Sequence, residues 1–262
     1  MRASTAKVDH IPVVWVEPRQ GQARAPLAVW MPALGANKEW VVPFLGELAD
    51  VGFVAVSLDP WQHGERATES AEEIRDRVYA AFRRHMWPIL GQTTLDALRV
   101  IDWAVDELHA GPTVVAGGVS MGGDDAVALA GIDHRVTRVA AVVASPDWTR
   151  PGMYHPDDPS TLLRQGSADA YAEWFYESLD PVTHLHRYAH GPAIAFESGQ
   201  DDTHVPVEDA LRFQAALRAA HPEAGARVRV TVHPGVGHFG AGDDPDIRRR
   251  CVKWLLGEPD GE

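Results

Sequence analysis

The strongest constraint on the fold is a series of short apolar runs separated by helical patterns. HIPVVWVEP opens the series, and PLAVWMPA, GFVAVSLDP, PTVVAGGVS, TRVAAVVASP, PAIAFESG and ARVRVTVHPG follow. Runs this short and this continuously apolar suit strands buried on both faces, as in parallel sheets. In TTLDALRVIDWAVDELHAG, Leu98, Ile101, Val105 and Leu108 share one helical face and Gly111 supplies a stop. PVEDALRFQAALRAAHP opens with Pro206 and acidic residues, as first turns of helices prefer. The alternation predicts an α/β fold, a mostly parallel sheet of about eight strands with helices on both faces.

A chain of 262 residues fits one domain of this class, residues 1–262. Two stretches break the alternation, residues 61–88 and 146–190, and each follows a strand end. Ligands of open α/β sheets bind beyond the carboxyl ends of the strands. Both stretches are therefore candidates for a small cap over a site, since loops this long are uncommon unless functional.

Charge and cysteine content exclude several classes. The formal net charge of -13 repels phosphate backbones and anionic bilayers, which argues against nucleic acid and membrane partners. The one cysteine, Cys251, lies in the helical pattern DIRRRCVKWLL and can form no intramolecular disulfide, so it reads as a structural thiol and not a nucleophile. The N-terminal residues hold no apolar stretch of signal-peptide length, and no later segment is long enough to span a bilayer. A cytoplasmic location is the expectation. The oligomeric state is left open, with a homodimer one option.

The segment that carries chemistry is PTVVAGGVSMGGDDAVALAG. It contains Gly118-Val119-Ser120-Met121-Gly122, a G-x-S-x-G motif between an apolar strand and an Ala-rich helix. That context makes Ser120 a nucleophile on a tight turn, with the two glycines keeping side chains out of a crowded place. The helix dipole behind Ser120 favours developing negative charge. No G-x-x-x-x-G-K-[ST] phosphate loop occurs, which weakens a nucleotide-binding reading.

On these residues the chain resembles the α/β-hydrolase superfamily from about Pro26 to Leu256. It is most similar to the dienelactone-hydrolase-like and prolyl-oligopeptidase-like serine esterases. Dienelactone hydrolases use a cysteine nucleophile where this chain has Ser120. The resemblance implies a chain order of serine, acid and histidine. It implies Asp202 as the acid, in GQDDTHVP after the run PAIAFES, with Val205-Pro206 in register and Asp201 as its rival. It implies His238 as general base, in the glycine-flanked loop HPGVGHFG, with His233 as the competitor. The oxyanion donors would be the backbone N–H groups of Met121 and Leu34, Leu34 lying in a Pro32-Ala33-Leu34-Gly35 loop where many relatives carry His-Gly.

The expected activity is hydrolysis of small or medium carboxylic esters through an acyl-enzyme on Ser120, with a small-molecule acyl substrate and without a cofactor. Peptide or amide, thioester, lactone and carbon–carbon substrates use the same triad, and a non-catalytic small-molecule binder is the rival from another class. Prolyl-oligopeptidase relatives usually carry a propeller domain for which 262 residues leave no room, which favours small esters. Trp61 and Trp148 follow strand ends and are candidates either for an apolar substrate wall or for filling of the core. His63 reads as a turn-shaping residue in LDPWQHGER. His184-Leu185-His186 has neither cysteine nor HExxH context, so no metal is expected.

Overall fold

Every apolar run becomes a strand, but one strand precedes the first of them. A computed structural model describes residues 2–19 and 24–258. It opens with an antiparallel pair, β1 (Ser4–Val8) and β2 (Ile11–Val16), joined through Asp9 at φ 54°. The parallel strands are β3 (Leu27–Met31), β4 (Val54–Leu58), β5 (Val114–Val119) and β6 (Val136–Val142). After a small hairpin of β7 (Tyr154–His155) and β8 (Asp158–Leu162) come β9 (Ala193–Gly199) and β10 (Val228–His233). The eight-stranded order is β1-β2-β4-β3-β5-β6-β9-β10, with β2 antiparallel to β4 and every pair from β4 to β10 parallel.

Helices cover both faces, and the strands alternate between two cores. On β3, Leu27, Val29 and Met31 join a cluster with α3 (Phe82–Glu107), α4 (Met121–Ile132) and α6 (Val207–Ala220). Ala28 and Trp30 join the opposite cluster, with α1 (Val42–Asp50) and α8 (Pro245–Leu256). Both sets are buried, which is why the strand reads as a continuous apolar run and not as alternation. A single-turn α7 (Pro222–Gly225) links α6 to β10. Cys251 lies buried on α8, and burial pushes its thiol well above the ordinary cysteine range. Among the described residues no helix is long and apolar enough to cross a membrane.

Of the two stretches outside the alternation, the first is largely helical and the second mixes a hairpin, helix and irregular chain. Residues 61–88 contain α2 (Ala71–Ala80), started by a capping box of Ser70 and Glu73, and the first turns of α3. The helix expected near residue 93 thus begins at Phe82 and runs through Pro88. Proline removes one helical hydrogen bond, but Phe82, Met86, Trp87, Ile89 and Leu90 are all buried around it, and that packing holds the early turns in place. The buried stripe of α3 also differs from the one read in the sequence. Leu90, Thr94, Ala97, Ile101 and Ala104 face inward, while Leu98, Val105 and Leu108 are half-buried. Residues 146–190 hold the hairpin, α5 (Ala170–Leu179) and a 3-10 turn over Val182–Tyr188. With α2 and the start of α3, α5 builds a third apolar cluster that includes Met121.

Candidate active site

Ser120 stands between β5 and α4 at φ 53°, ψ -119°, a conformation that costs a non-glycine residue about 1–3 kcal/mol. The surroundings over-determine it. Its N–H donates to the Val142 carbonyl at 2.8 Å, and its carbonyl accepts from Gly123 at 2.8 Å and Asp124 at 3.1 Å. Gly118 and Gly122 are needed because the end of β3 crosses directly against the turn. A Cβ on Gly118 would lie 2.6 Å from the Met31 carbonyl oxygen, and one on Gly122 would lie 2.7 Å from that of Pro32. Neither neighbour is a flexible side-chain end. Gly122→Ala is expected to lower stability by about 1–3 kcal/mol through overpacking, read as a drop in Tm by thermal denaturation.

The structure brings Ser120, His238 and Asp202 into line. With the His238 Nδ1–H donating to Asp202 Oδ2 at 2.8 Å, His238 Nε2 accepts from the Ser120 hydroxyl at 3.0 Å. Asp202 is buried, and its second oxygen accepts the backbone N–H groups of His204 and Val205, both at 2.9 Å. Its rival Asp201 is exposed, and among the described residues its hydrogen bonding is limited to its N–H donating to the Val236 carbonyl at 2.9 Å. His233 lies elsewhere, with its Nε2 2.6 Å from buried Glu197.

Leu34 lines a cavity of about 430 Å³ that Ser120 and His238 also line. Outside the helices and strands, the N–H groups of Met121 and Leu34 make no backbone–backbone hydrogen bond among the described residues; Met121 itself is fully buried and does not line the cavity. The Leu34 loop is anchored by a pair that the sequence reading did not single out. Lys38 and Asp59 are 1% and 0% exposed, and their charged atoms are 3.0 Å apart. Asp59 also accepts the Lys38 N–H at 3.0 Å and the Glu65 N–H at 2.9 Å. The carboxyl group of Asp59 occupies the space a Cβ on Gly64 would need, which accounts for the glycine after His63. His63 is buried, with Nδ1 2.8 Å from the Trp61 carbonyl, and it shapes this turn away from the cavity.

Neither proposed tryptophan lines that cavity. Trp148 is fully buried in the third cluster, its carbonyl accepting from Trp87 Nε1 and its N–H bound to Asp180. Trp61 packs against the same cluster under the Arg66 guanidinium, 4.8 Å from ring centre to Cζ. Position after a strand end therefore did not translate into exposure to ligand. The aromatic wall consists of Trp40, Tyr79 and Phe239, with Arg75 and Asp243 as its charged members. Trp40 and Phe239 were detectable by proximity, one just past the Leu34 loop and one next to His238. Tyr79 and Arg75 come from α2, inside the stretch 61–88. His184 and His186 lie on the 3-10 turn, not on a strand, and no group of three or more metal-ligating side chains occurs among the described residues.

Behind the nucleophile lies a buried ionic network. Asp124 on α4 pairs with Arg150, both nearly inaccessible, and accepts the Ser145 N–H at 2.7 Å. Burial raises the Asp124 carboxyl to about 6, against the opposing pull of Arg150. The adjacent Asp125 is pushed well above the carboxylate range by burial and by Asp124.

A parallel-sheet fold with an in-line serine, histidine and aspartate defines the α/β-hydrolase class of serine hydrolases. Within that class the chain belongs to the prolyl oligopeptidase family, whose model matches residues 79–258. The match includes Ser120, Asp202 and His238 but starts beyond the Leu34 loop. No curated protein matches the chain significantly. Solved structures with the same fold include TT1662 from Thermus thermophilus, 22% identical with a TM-score of 0.73 over 100% of both chains. The Pyrococcus furiosus esterase Pf2001 is 14% identical with a TM-score of 0.66, over 98% of this chain and 92% of that one. The Pyrococcus horikoshii acylaminoacyl peptidase is 14% identical with a TM-score of 0.67, over 100% of this chain and 42% of that one.

Proposed function

We propose that this serine hydrolase cleaves carboxylic esters of small or medium acyl groups through an acyl-enzyme on Ser120. The observation that carries this is the 3.0 Å contact from Ser120 Oγ to His238 Nε2, made at the wall of an aromatic-lined cavity. Nε2 takes the hydroxyl proton as Oγ attacks the carbonyl carbon. The oxyanion is held by the Met121 and Leu34 amides. The bond to the alkoxy oxygen breaks, and the alcohol leaves with the proton from His238. Water then attacks the acyl carbon, gives its proton to His238, and the acid departs as Ser120 recovers its proton. Asp202 keeps the imidazole in the tautomer that accepts at Nε2. The same atoms can hydrolyse an amide, and family membership supports that second reading.

The two readings separate on matched substrates. We expect kcat/KM for p-nitrophenyl butyrate to exceed that for the corresponding p-nitroanilide by at least about 10³-fold, a difference in transition-state stabilisation of about 4 kcal/mol. Acetate and octanoate esters then size the acyl pocket. Comparable rates on ester and anilide, or turnover of peptide amides alone, would replace the esterase reading with the peptidase one.

A further inference from the structure

The residue two places after Asp202 has a role that neither the triad nor the fold requires. His204 is buried, and its ring meets the His238 ring edge to face, with centroids 4.7 Å apart and planes at 73°. Its Nδ1 is 2.8 Å from the Tyr154 carbonyl oxygen on β7, and the Tyr154 N–H returns a bond to the Thr203 carbonyl at 3.0 Å. From α2, Tyr79 packs edge-on against His204 at 5.5 Å and against His155 at 5.1 Å. One imidazole thus touches the candidate general base and an element from each of the two stretches outside the strand–helix alternation.

We infer that His204 is a positioning residue. Its ring holds the His238 imidazole in line between Asp202 and Ser120, and it ties that geometry to α2 and to the β7–β8 hairpin. The inference rests on the proposed role of His238 as the base. An imidazole between two hydrogen-bonded partners can still tilt about its ring axis, and a packed edge-to-face neighbour restricts that tilt. For this to work His204 must stay neutral, because a second cation at 4.7 Å would oppose the imidazolium that forms on His238. The charged and titratable groups around it are His238, Arg150, His155, Tyr79 and the Asp202 carboxylate. Burial foremost, then His238 and Arg150, holds the His204 imidazole well below the ordinary histidine range.

Three variants test this. His204→Ala removes ring and hydrogen bond. His204→Phe keeps a ring but not the donor. His204→Asn keeps a donor toward Tyr154 but not the ring. We expect His204→Ala and His204→Asn to lose about tenfold or more in kcat, with KM within about twofold, as a misoriented base predicts. The acid limb of the kcat/KM pH profile should shift, and the low-field proton resonance of His238 Nδ1 should broaden. His204→Phe should recover most of kcat while losing thermal stability. If the variants lower Tm but leave kcat, the acid limb and the resonance at wild-type values, His204 is a packing residue only and the inference fails. Should His204→Ala not fold, His204→Asn and His204→Phe carry the same comparison. The resonance needs no substrate, so it decides this inference even if the ester reading is lost.

Discussion

Ser120→Ala is expected to reduce kcat/KM for p-nitrophenyl esters by about 10⁴-fold or more, with KM little changed and the fold intact. The loss is large because the hydroxyl forms the covalent bond and the remaining His238 and Asp202 have no nucleophile to activate. Ser120→Gly should be equally inactive yet more stable than wild type by about 1 kcal/mol, since glycine holds φ 53° without strain. The gain in stability reports the backbone strain alone, and the loss of all turnover in a folded, more stable variant is what identifies Ser120 as catalytic. Equal turnover by wild type and Ser120→Ala would remove Ser120 from the chemistry. Absence of turnover on every acyl substrate, with retained small-molecule binding, would establish the non-catalytic binder.

Lys38→Met is expected to cost about 3–5 kcal/mol in urea denaturation, because it leaves the fully buried Asp59 carboxylate without its cation. It should also lower kcat, since Lys38 closes the loop that carries the Leu34 amide. The double variant Lys38→Met, Asp59→Leu should regain only part of the stability, since it removes the unpaired charge but leaves the backbone N–H groups of residues 38 and 65 without their acceptor. Burial alone would lower the Lys38 ammonium, but Glu39, Glu65 and Asp59 outweigh it and raise it above the ordinary lysine value. A raised lysine stabilises the folded state fully below the unfolded value of 10.5, and that stabilisation is lost as pH climbs beyond it. The contribution of this pair should therefore be constant from neutral pH to about 10 and collapse only in strong alkali, where wild type approaches the variant.

The sequence was most legible where chemistry is local. A serine forced into a left-handed turn needs glycines beside it, and these stand in the chain as Gly118 and Gly122. A strand buried on both faces is a continuous apolar run, and the seven such runs became seven of the eight strands of the sheet. Legibility failed where burial depends on the neighbour. Trp148 and Trp40 are both tryptophans after strand-end loops, but Trp148 is sealed under α3 and α5 while Trp40 is 43% exposed at the cavity. Their own flanking residues do not separate them; only the nearness of Trp40 to the Leu34 loop does. Residues 61–88 read as irregular because Pro88 and scattered charges mask the helical period, and packing in the third cluster overrides both.

The chain by itself determined the strand–helix alternation and the strained nucleophile turn, because these follow from backbone sterics and from periodicity over a few residues, while the order of serine, acid and base came from the resemblance to a family. Only the tertiary structure decided that Ser120 meets His238 across 118 residues, that Lys38 meets Asp59 across 21, and which histidine flanks the base. Those meetings depend on strand register and on which loop ends share one edge of the sheet. No local pattern encodes them, since hydrogen bonds and buried charges select partners by distance in space and not by separation along the chain.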